Sequence, residues 1–174
     1  MSSIHVRRIV YAGAVAALYA SLIIAGAAIS YGPIQFRIAE ALCILPFFIP
    51  VAAPGLFIGC IIANLLSPYG ILDVVVGSAA SLLAALCTMQ LGRLNRTSIF
   101  VKALACFPPV IFNALMVGGV IAWATTGGGE AFWAAFAICG LQVGAGEFAV
   151  LYIIGLPLMV YLPKSRLFQF LFIQ

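Results

Sequence analysis

The sequence predicts an all-α integral membrane protein, a bundle of six transmembrane helices with both termini in the cytoplasm. Of its 174 residues, 66% are hydrophobic and only 7% are charged, whereas a soluble domain has about 25% charged residues. The apolar residues form stretches that approach the ~20 residues needed to cross a bilayer, and basic residues cluster on one side of the predicted bundle. This composition excludes a soluble globular protein, a disordered chain and a nucleic-acid-binding protein.

Six apolar stretches follow one another along a single predicted transmembrane domain, residues 1–174. The spans are predicted at residues 9–29, 38–49, 55–66, 73–91, 103–123 and 141–162. The first is longer than the apolar region of a signal peptide, so we interpret it as a retained span. Residues 131–138 are expected to form a separate short segment. Pro108-Pro109 should disturb the fifth span, and Pro157 should kink the sixth.

The positive charges predict the orientation of the bundle. With six crossings, one side carries Arg7, Arg8, Arg93, Arg96, Lys102, Lys164 and Arg166, and the other carries Arg37 alone. Because positively charged loops stay in the cytoplasm, we expect both termini there.

The acidic residues fall at or near the opposite, outer face: Glu40, Asp73, Glu130 and Glu147. Glu147 lies inside the sixth span, where an ionisable group costs about 2.5–3.5 kcal/mol and usually lines a cavity or pairs with a neighbour. The amides Asn64, Asn113 and Gln142 lie in the same half of the bundle or near its middle. This distribution predicts a polar pocket that opens outward.

Structural roles compete with ligand binding at several of these positions. Arg37 and Glu40 are helical neighbours that could neutralise each other, and Asp73 follows a turn, where an N-cap role is favoured. Asn64 and Asn113 could join helices. For Glu147 we favour a ligand-facing role, because residues 144–146 (Gly-Ala-Gly) let a flat molecule or another backbone come close.

Two neighbouring ridges of small residues run along the first span. Such ridges let helices approach closely, and two exceed what one internal partner requires, so either internal packing or an external helix is possible. The ridges are Ala12, Ala16 and Ala20, and Gly13, Ala17, Ser21 and Ala25.

The sequence has no motif for catalysis or nucleotide binding. It has no G-x-x-x-x-G-K-[ST] or H-E-x-x-H pattern, its five cysteines are never in a C-x-x-C pair, and its single histidine is His5. We therefore expect no enzyme, no cofactor and no metal site. Active transport would need an energy source in a partner.

Residues 31–42 (YGPIQFRIAEAL), 55–65 and 70–78 resemble the queuosine-precursor transporter (QueT) family, with the blocks Q-F-R-x-x-E-A-L and G-x-L-D-x-x-x-G. The resemblance covers nearly the whole chain. It implies a substrate-binding subunit of an energy-coupling factor (ECF) importer in a bacterial cytoplasmic membrane. Such a subunit captures a 7-deazaguanine, such as its 7-aminomethyl or 7-cyano form or queuine, and works with a membrane coupling protein and two ATPases. Ala12, Ala16 and Ala20 look like the surface that docks on the coupling protein.

The polar residues suit such a ligand. A deazaguanine edge presents adjacent N–H and NH₂ donors, which a carboxylate accepts in a strong paired contact. Glu147 and Glu40 could divide this edge and an aminomethyl cation between them. Asn113 and Gln142 could read the carbonyl and ring nitrogens.

Two further residues complete the candidate site. Phe36 could stack on the ring, and Arg37 could either hold Glu40 in position or donate to the ligand carbonyl. Other interpretations are the same scaffold for another vitamin-like solute, and a structural membrane subunit that binds nothing. An intramembrane enzyme is disfavoured, because no nucleophile or metal set is present.

Overall fold

A computed structural model describes residues 3–32, 34–166 and 168, and its regular structure there is helical. Six main helices follow in order: α1 (Ser3–Ala25), a 3₁₀ helix (Ile38–Phe47), α2 (Ala52–Asn64), α3 (Asp73–Leu94), α4 (Ile99–Thr126) and α5 (Ala131–Lys164). Within the described ranges, α1, α3, α4 and α5 are long and apolar enough to cross a membrane, and the other two are shorter apolar helices. The chain is therefore a multi-pass helical membrane protein.

Three of the long helices contain a wide π-helical turn. The turns are Asp73–Gly77 in α3, Asn113–Val117 in α4 and Leu151–Gly155 in α5. The last ends two residues before Pro157, whose ring would clash with the carbonyl of Ile153 in a regular helix. Helix α4 is interrupted at Cys106, just before Pro108-Pro109, as predicted.

The predicted break between residues 131–138 and the sixth span is wrong. Helix α5 runs without interruption over 34 residues, about 51 Å at 1.5 Å per residue. Gly140 does not end the helix, because it serves as a packing position. A Cβ placed on Gly118 of α4 would lie 2.7 Å from the Gly140 Cα.

The first ridge of α1 packs inside the chain. A Cβ on Gly59 of α2 would lie 2.8 Å from the Ala16 carbonyl oxygen, and one on Gly55 would lie 2.5 Å from that of Ala12. Ala16 and Ala20 are buried. Helix α2 thus contacts Ala12 and Ala16 inside the chain, and Ala12 is only half-buried. The expectation that Ala12, Ala16 and Ala20 face a partner protein stays a prediction. The second ridge is exposed: Gly13, Ala17, Ser21 and Ala25.

The 3₁₀ helix places polar groups in one row. With three residues per turn, Glu40 and Cys43 lie one above the other, and both are buried. Ten residues at about 2.0 Å each extend about 20 Å, so this short segment reaches farther into the bundle than an α-helix of equal length. Its buried Ile44 and Phe47 join the main apolar core with Leu56.

Candidate functional site

Polar side chains that are at least nine-tenths buried gather where the 34–37 loop meets α2, α3, α4 and α5. They are Gln35, Arg37, Glu40, Asn64, Ser67, Asp73, Ser78, Asn113 and Glu147. Because an unpaired buried polar group is costly, their partners decide what each can do. The contacts divide them into an Arg37–Asp73 group and a glutamate group formed by Glu40 and Glu147.

The Arg37–Asp73 group is an ion pair that connects the loop to α3. Arg37 Nη2 lies 3.5 Å from Asp73 Oδ2, and Arg37 Nε donates to the Ser30 carbonyl at 3.3 Å. The guanidinium also lies over the Tyr31 ring, 5.6 Å from its centroid, a cation–π geometry. Two predictions are corrected here: Arg37 pairs with Asp73 rather than Glu40, and Asp73 lies within the helix rather than capping it.

Helix α2 and the following turn fix Asp73 in place. Asn64 Nδ2 donates to the Asp73 carbonyl at 2.9 Å, and Ser67 Oγ donates to Asp73 Oδ2 at 2.6 Å. Gly77 is required beside them, since a Cβ there would lie 2.8 Å from Asp73 Oδ1. The π turn and the missing side chain of Gly77 together leave space for the Asp73 carboxylate.

The glutamate group begins with Glu40 on the 3₁₀ helix. The Tyr19 hydroxyl of α1 donates to Glu40 Oε1, and the Cys43 thiol donates to Oε2 at 2.9 Å. Tyr19 is fully buried. Two neutral donors thus hold the Glu40 carboxyl, which has no cation of its own among the described contacts.

Glu147 on α5 faces the same group. Asn113 Nδ2, at the start of the π turn in α4, donates to Glu147 Oε1 at 3.0 Å, whereas Oε2 is buried without a hydrogen-bond partner. The charges of Glu40 and Arg37 both act on this carboxyl. Gly146 lets the loop backbone approach α5 beside Glu147, because a Cβ on Gly146 would lie 2.5 Å from the Ile34 carbonyl oxygen.

Several other buried polar atoms lack a hydrogen-bond partner. They are Gln35 Nε2, Arg37 Nη2, Asn64 Oδ1, Asp73 Oδ1 and Ser78 Oγ. Buried polar groups are normally satisfied by protein or water. The open donors and acceptors of this cluster therefore need water or a polar ligand as partners. No group of three His, Cys, Asp or Glu side chains in the described ranges is placed to hold a metal ion.

Four of the six predicted site residues lie in this cluster: Arg37, Glu40, Asn113 and Glu147. Phe36 and Gln142 are half-buried. The sequence reading missed Tyr19, Gln35, Ser67 and Ser78 as members. Tyr19 carried a usable signal, because a hydroxyl in the middle of an apolar span needs a partner. Gln35 gave no such signal, because it lies in a loop, where it has a backbone φ of +50°.

The chain is thus a multi-pass helical membrane protein with a candidate site for a polar solute, since ionisable groups buried between membrane helices usually mark such sites. The family model described as QueT transporter matches residues 9–164. The chain therefore belongs to the QueT transporter family, which confirms the resemblance seen in its motifs.

A curated relative supports this assignment over part of the chain. Over 70 residues the chain is 46% identical to the queuosine precursor transporter QueT of Lactococcus lactis subsp. cremoris (strain MG1363). That match covers 39% of this chain and 41% of the relative, less than half of either. No solved structure matches the chain.

Proposed function

We propose that this protein is the substrate-capture membrane subunit of an ECF-type importer for a queuosine precursor, a 7-deazaguanine such as 7-aminomethyl-7-deazaguanine or queuine. The observation that carries the proposal is the buried, unpartnered Oε2 of Glu147, beside an Oε1 that Asn113 already orients. Adjacent N–H and NH₂ donors on a deazaguanine would fill this acceptor with charge-assisted hydrogen bonds.

The charges of the cluster favour a cationic substituent. Arg37 is matched by Asp73, which leaves Glu40 and Glu147 without a guanidinium of their own. An aminomethyl cation between the two carboxyl groups would supply the missing charge. Arg37 Nη2 lies 3.5 Å from Asp73 Oδ2 in the ion pair but forms no hydrogen bond, so we assign its N–H donors to the ligand carbonyl rather than to Glu40. Phe36 and Gln142 stay candidates for ring stacking and a second polar contact.

The transport cycle requires partners, which we propose to be a membrane coupling protein and two ATPase subunits. Family membership supports this assembly. The exposed ridge of Gly13, Ala17, Ser21 and Ala25 offers a surface on which a partner helix could pack closely. The Lys/Arg distribution supports six crossings with both termini in the cytoplasm, and the family resemblance supports a bacterial cytoplasmic membrane.

Ligand binding to the purified protein tests the proposal. We expect 7-aminomethyl-7-deazaguanine to bind, and Glu147→Gln to weaken binding by about tenfold or more, because one charge-assisted contact contributes about 1.5–3 kcal/mol. Glu130→Gln removes an acid from the Gly-rich loop 125–130 and should leave affinity unchanged. Calorimetry of the three proteins would show this.

Three results would contradict the proposal. Equal affinity of Glu147→Gln and the unmodified protein would remove that residue from the site. Mass spectrometry of small molecules that copurify with the protein provides the second check. A different vitamin-like solute would replace the proposed substrate, and a failure of every such solute to bind would favour a purely structural subunit.

A further inference from the structure

A cavity lies at the other end of the bundle from the acidic cluster. It has a volume of about 350 Å³ and is lined by the end of the 3₁₀ helix region, the α3–α4 turn, the first turn of α4 and the end of α5. Three basic side chains line it: Arg96, Lys102 and Lys164. This cavity shares no residue with the candidate substrate site.

Lys102 is the most unusual of these side chains. It is only 9% exposed, and among the described residues its ammonium group has no hydrogen bond and no ion pair. A lysine can bury its aliphatic stem and keep its ammonium group at an accessible surface. Because Lys102 lines this cavity, its ammonium group is available to an anion that enters it.

The protein itself does not supply that anion from its acidic side chains. Glu40, Asp73 and Glu147 are in the buried cluster. Glu130 follows the far end of α4, a helix of 28 residues or about 42 Å at 1.5 Å per residue. The other two basic side chains add positive charge to the cavity. Lys164 lies 5.8 Å from the centroid of the Tyr161 ring. Arg96 donates from Nε to the Gly92 carbonyl, which leaves its terminal nitrogens available.

The walls of the cavity specify the kind of anion. Phe48, Val160 and Phe168 line it beside the cations, and the Phe48 and Phe168 rings pack edge to face at 5.7 Å. Basic pockets between membrane helices with apolar walls suit a phospholipid headgroup, whose phosphate meets the cations while its acyl chains follow the apolar surface. Free phosphate carries the same negative charge, but it has no apolar part that could contact these walls.

We propose that this cavity binds the phosphate group of an anionic phospholipid, with Lys102 as the central ligand and Arg96 and Lys164 beside it. The lipid phosphate then pairs with Lys102 at the junction of the 3₁₀ helix, α4 and α5. Occupancy ties these helices together at the end opposite the substrate site.

Thermal unfolding of the purified full chain in lipid nanodiscs tests this proposal. Adding phosphatidylglycerol to phosphatidylcholine discs should raise the Tm of the unmodified protein by about 2–4 °C. Lys102→Met should abolish the rise. Arg93→Gln is the matched control, because Arg93 is an exposed cation of α3 that contacts Gln90 and does not line the cavity, and it should retain the rise. Native mass spectrometry should find phosphatidylglycerol retained on the unmodified protein and on Arg93→Gln, and lost from Lys102→Met.

Three outcomes would overturn the proposal. They are a full rise in Lys102→Met, an equal loss in Arg93→Gln, and a rise of the same size from inorganic phosphate in phosphatidylcholine discs, which would assign the site to a free anion. Should Lys102→Met not fold, Lys164→Gln replaces it. That variant keeps the buried lysine, and the Tm rise should fall to a fraction of its full value.

Discussion

The two groups of the buried cluster differ in how their charged side chains are compensated. In the Arg37–Asp73 group, a cation meets an anion, and Ser30, Asn64 and Ser67 add hydrogen bonds around them. In the glutamate group, two carboxyl groups are held by neutral donors, and one oxygen of Glu147 is unused. The first group joins the loop to α3 by an ion pair, whereas in the proposed function the second group is completed by a substrate that brings donors or positive charge.

The largest expected effect breaks the first group. Asp73→Ala leaves Arg37 buried without its counter-ion, which should reduce the free energy of unfolding by about 3–5 kcal/mol. Denaturant titration of the ligand-free protein in detergent measures this loss. The double variant Arg37→Met/Asp73→Leu removes both charges and should lose far less. Equal losses in the single and double variants would show that the ion pair does not fix the loop.

A smaller effect is expected when the second group loses charge. Glu40→Gln keeps an oxygen for the Tyr19 hydroxyl but removes the negative charge. If the aminomethyl cation lies between Glu40 and Glu147, affinity for 7-aminomethyl-7-deazaguanine should fall about tenfold, or 1.4 kcal/mol, while affinity for the neutral 7-cyano form stays nearly constant. Comparing the affinities of the two ligands for this one variant separates the effect of ligand charge from the effect of ligand shape. Equal loss for both would make Glu40 a positioning residue only.

The contrast between the groups also explains what could be predicted from the sequence. Glu147 was predictable as a member of the buried polar cluster, because a carboxyl group inside an apolar span is costly wherever the helix packs. The partner of Arg37 was not. Arg37 and Glu40 are three residues apart, a local spacing that favours a pair, and Asp73 follows a turn, a local pattern that favours a cap. The ion pair that forms depends on how α3 packs against the loop, which no local pattern records.

Helix packing shows the same limit. The glycines of α2 and the small ridges of α1 were visible, but which ridge meets α2 depends on the rotation of α1 about its axis. Gly55 and Gly59 contact Ala12 and Ala16, so the other ridge is left exposed. Gly140 gave an equally ambiguous signal, since glycine can end a helix or allow close packing, and here it does the second.

A third prediction concerns the link between α1 and the glutamate group. Tyr19→Phe removes one donor from Glu40 while the ring still fills the core, so the free energy of unfolding should fall by about 1 kcal/mol. Substrate affinity should fall by a few-fold, because Glu40 is less firmly oriented. Tyr161→Phe is the control, since Tyr161 is exposed and its ring contact with Lys164 is kept. A loss in the control as large as in Tyr19→Phe would contradict the assignment.

The smallest effect is expected at Cys43, the other donor to Glu40. A thiol is a weak hydrogen-bond donor, so Cys43→Ala should cost less than Tyr19→Phe, below about 1 kcal/mol, with Cys87→Ala as the exposed control. The coupling of each donor to Glu40 follows from double-mutant cycles with Glu40→Gln. We expect the Tyr19–Glu40 coupling to exceed the Cys43–Glu40 coupling, because the hydroxyl is the stronger donor and comes from another helix. The reverse order would mean that the row along the 3₁₀ helix, rather than α1, orients the carboxyl group toward the ligand.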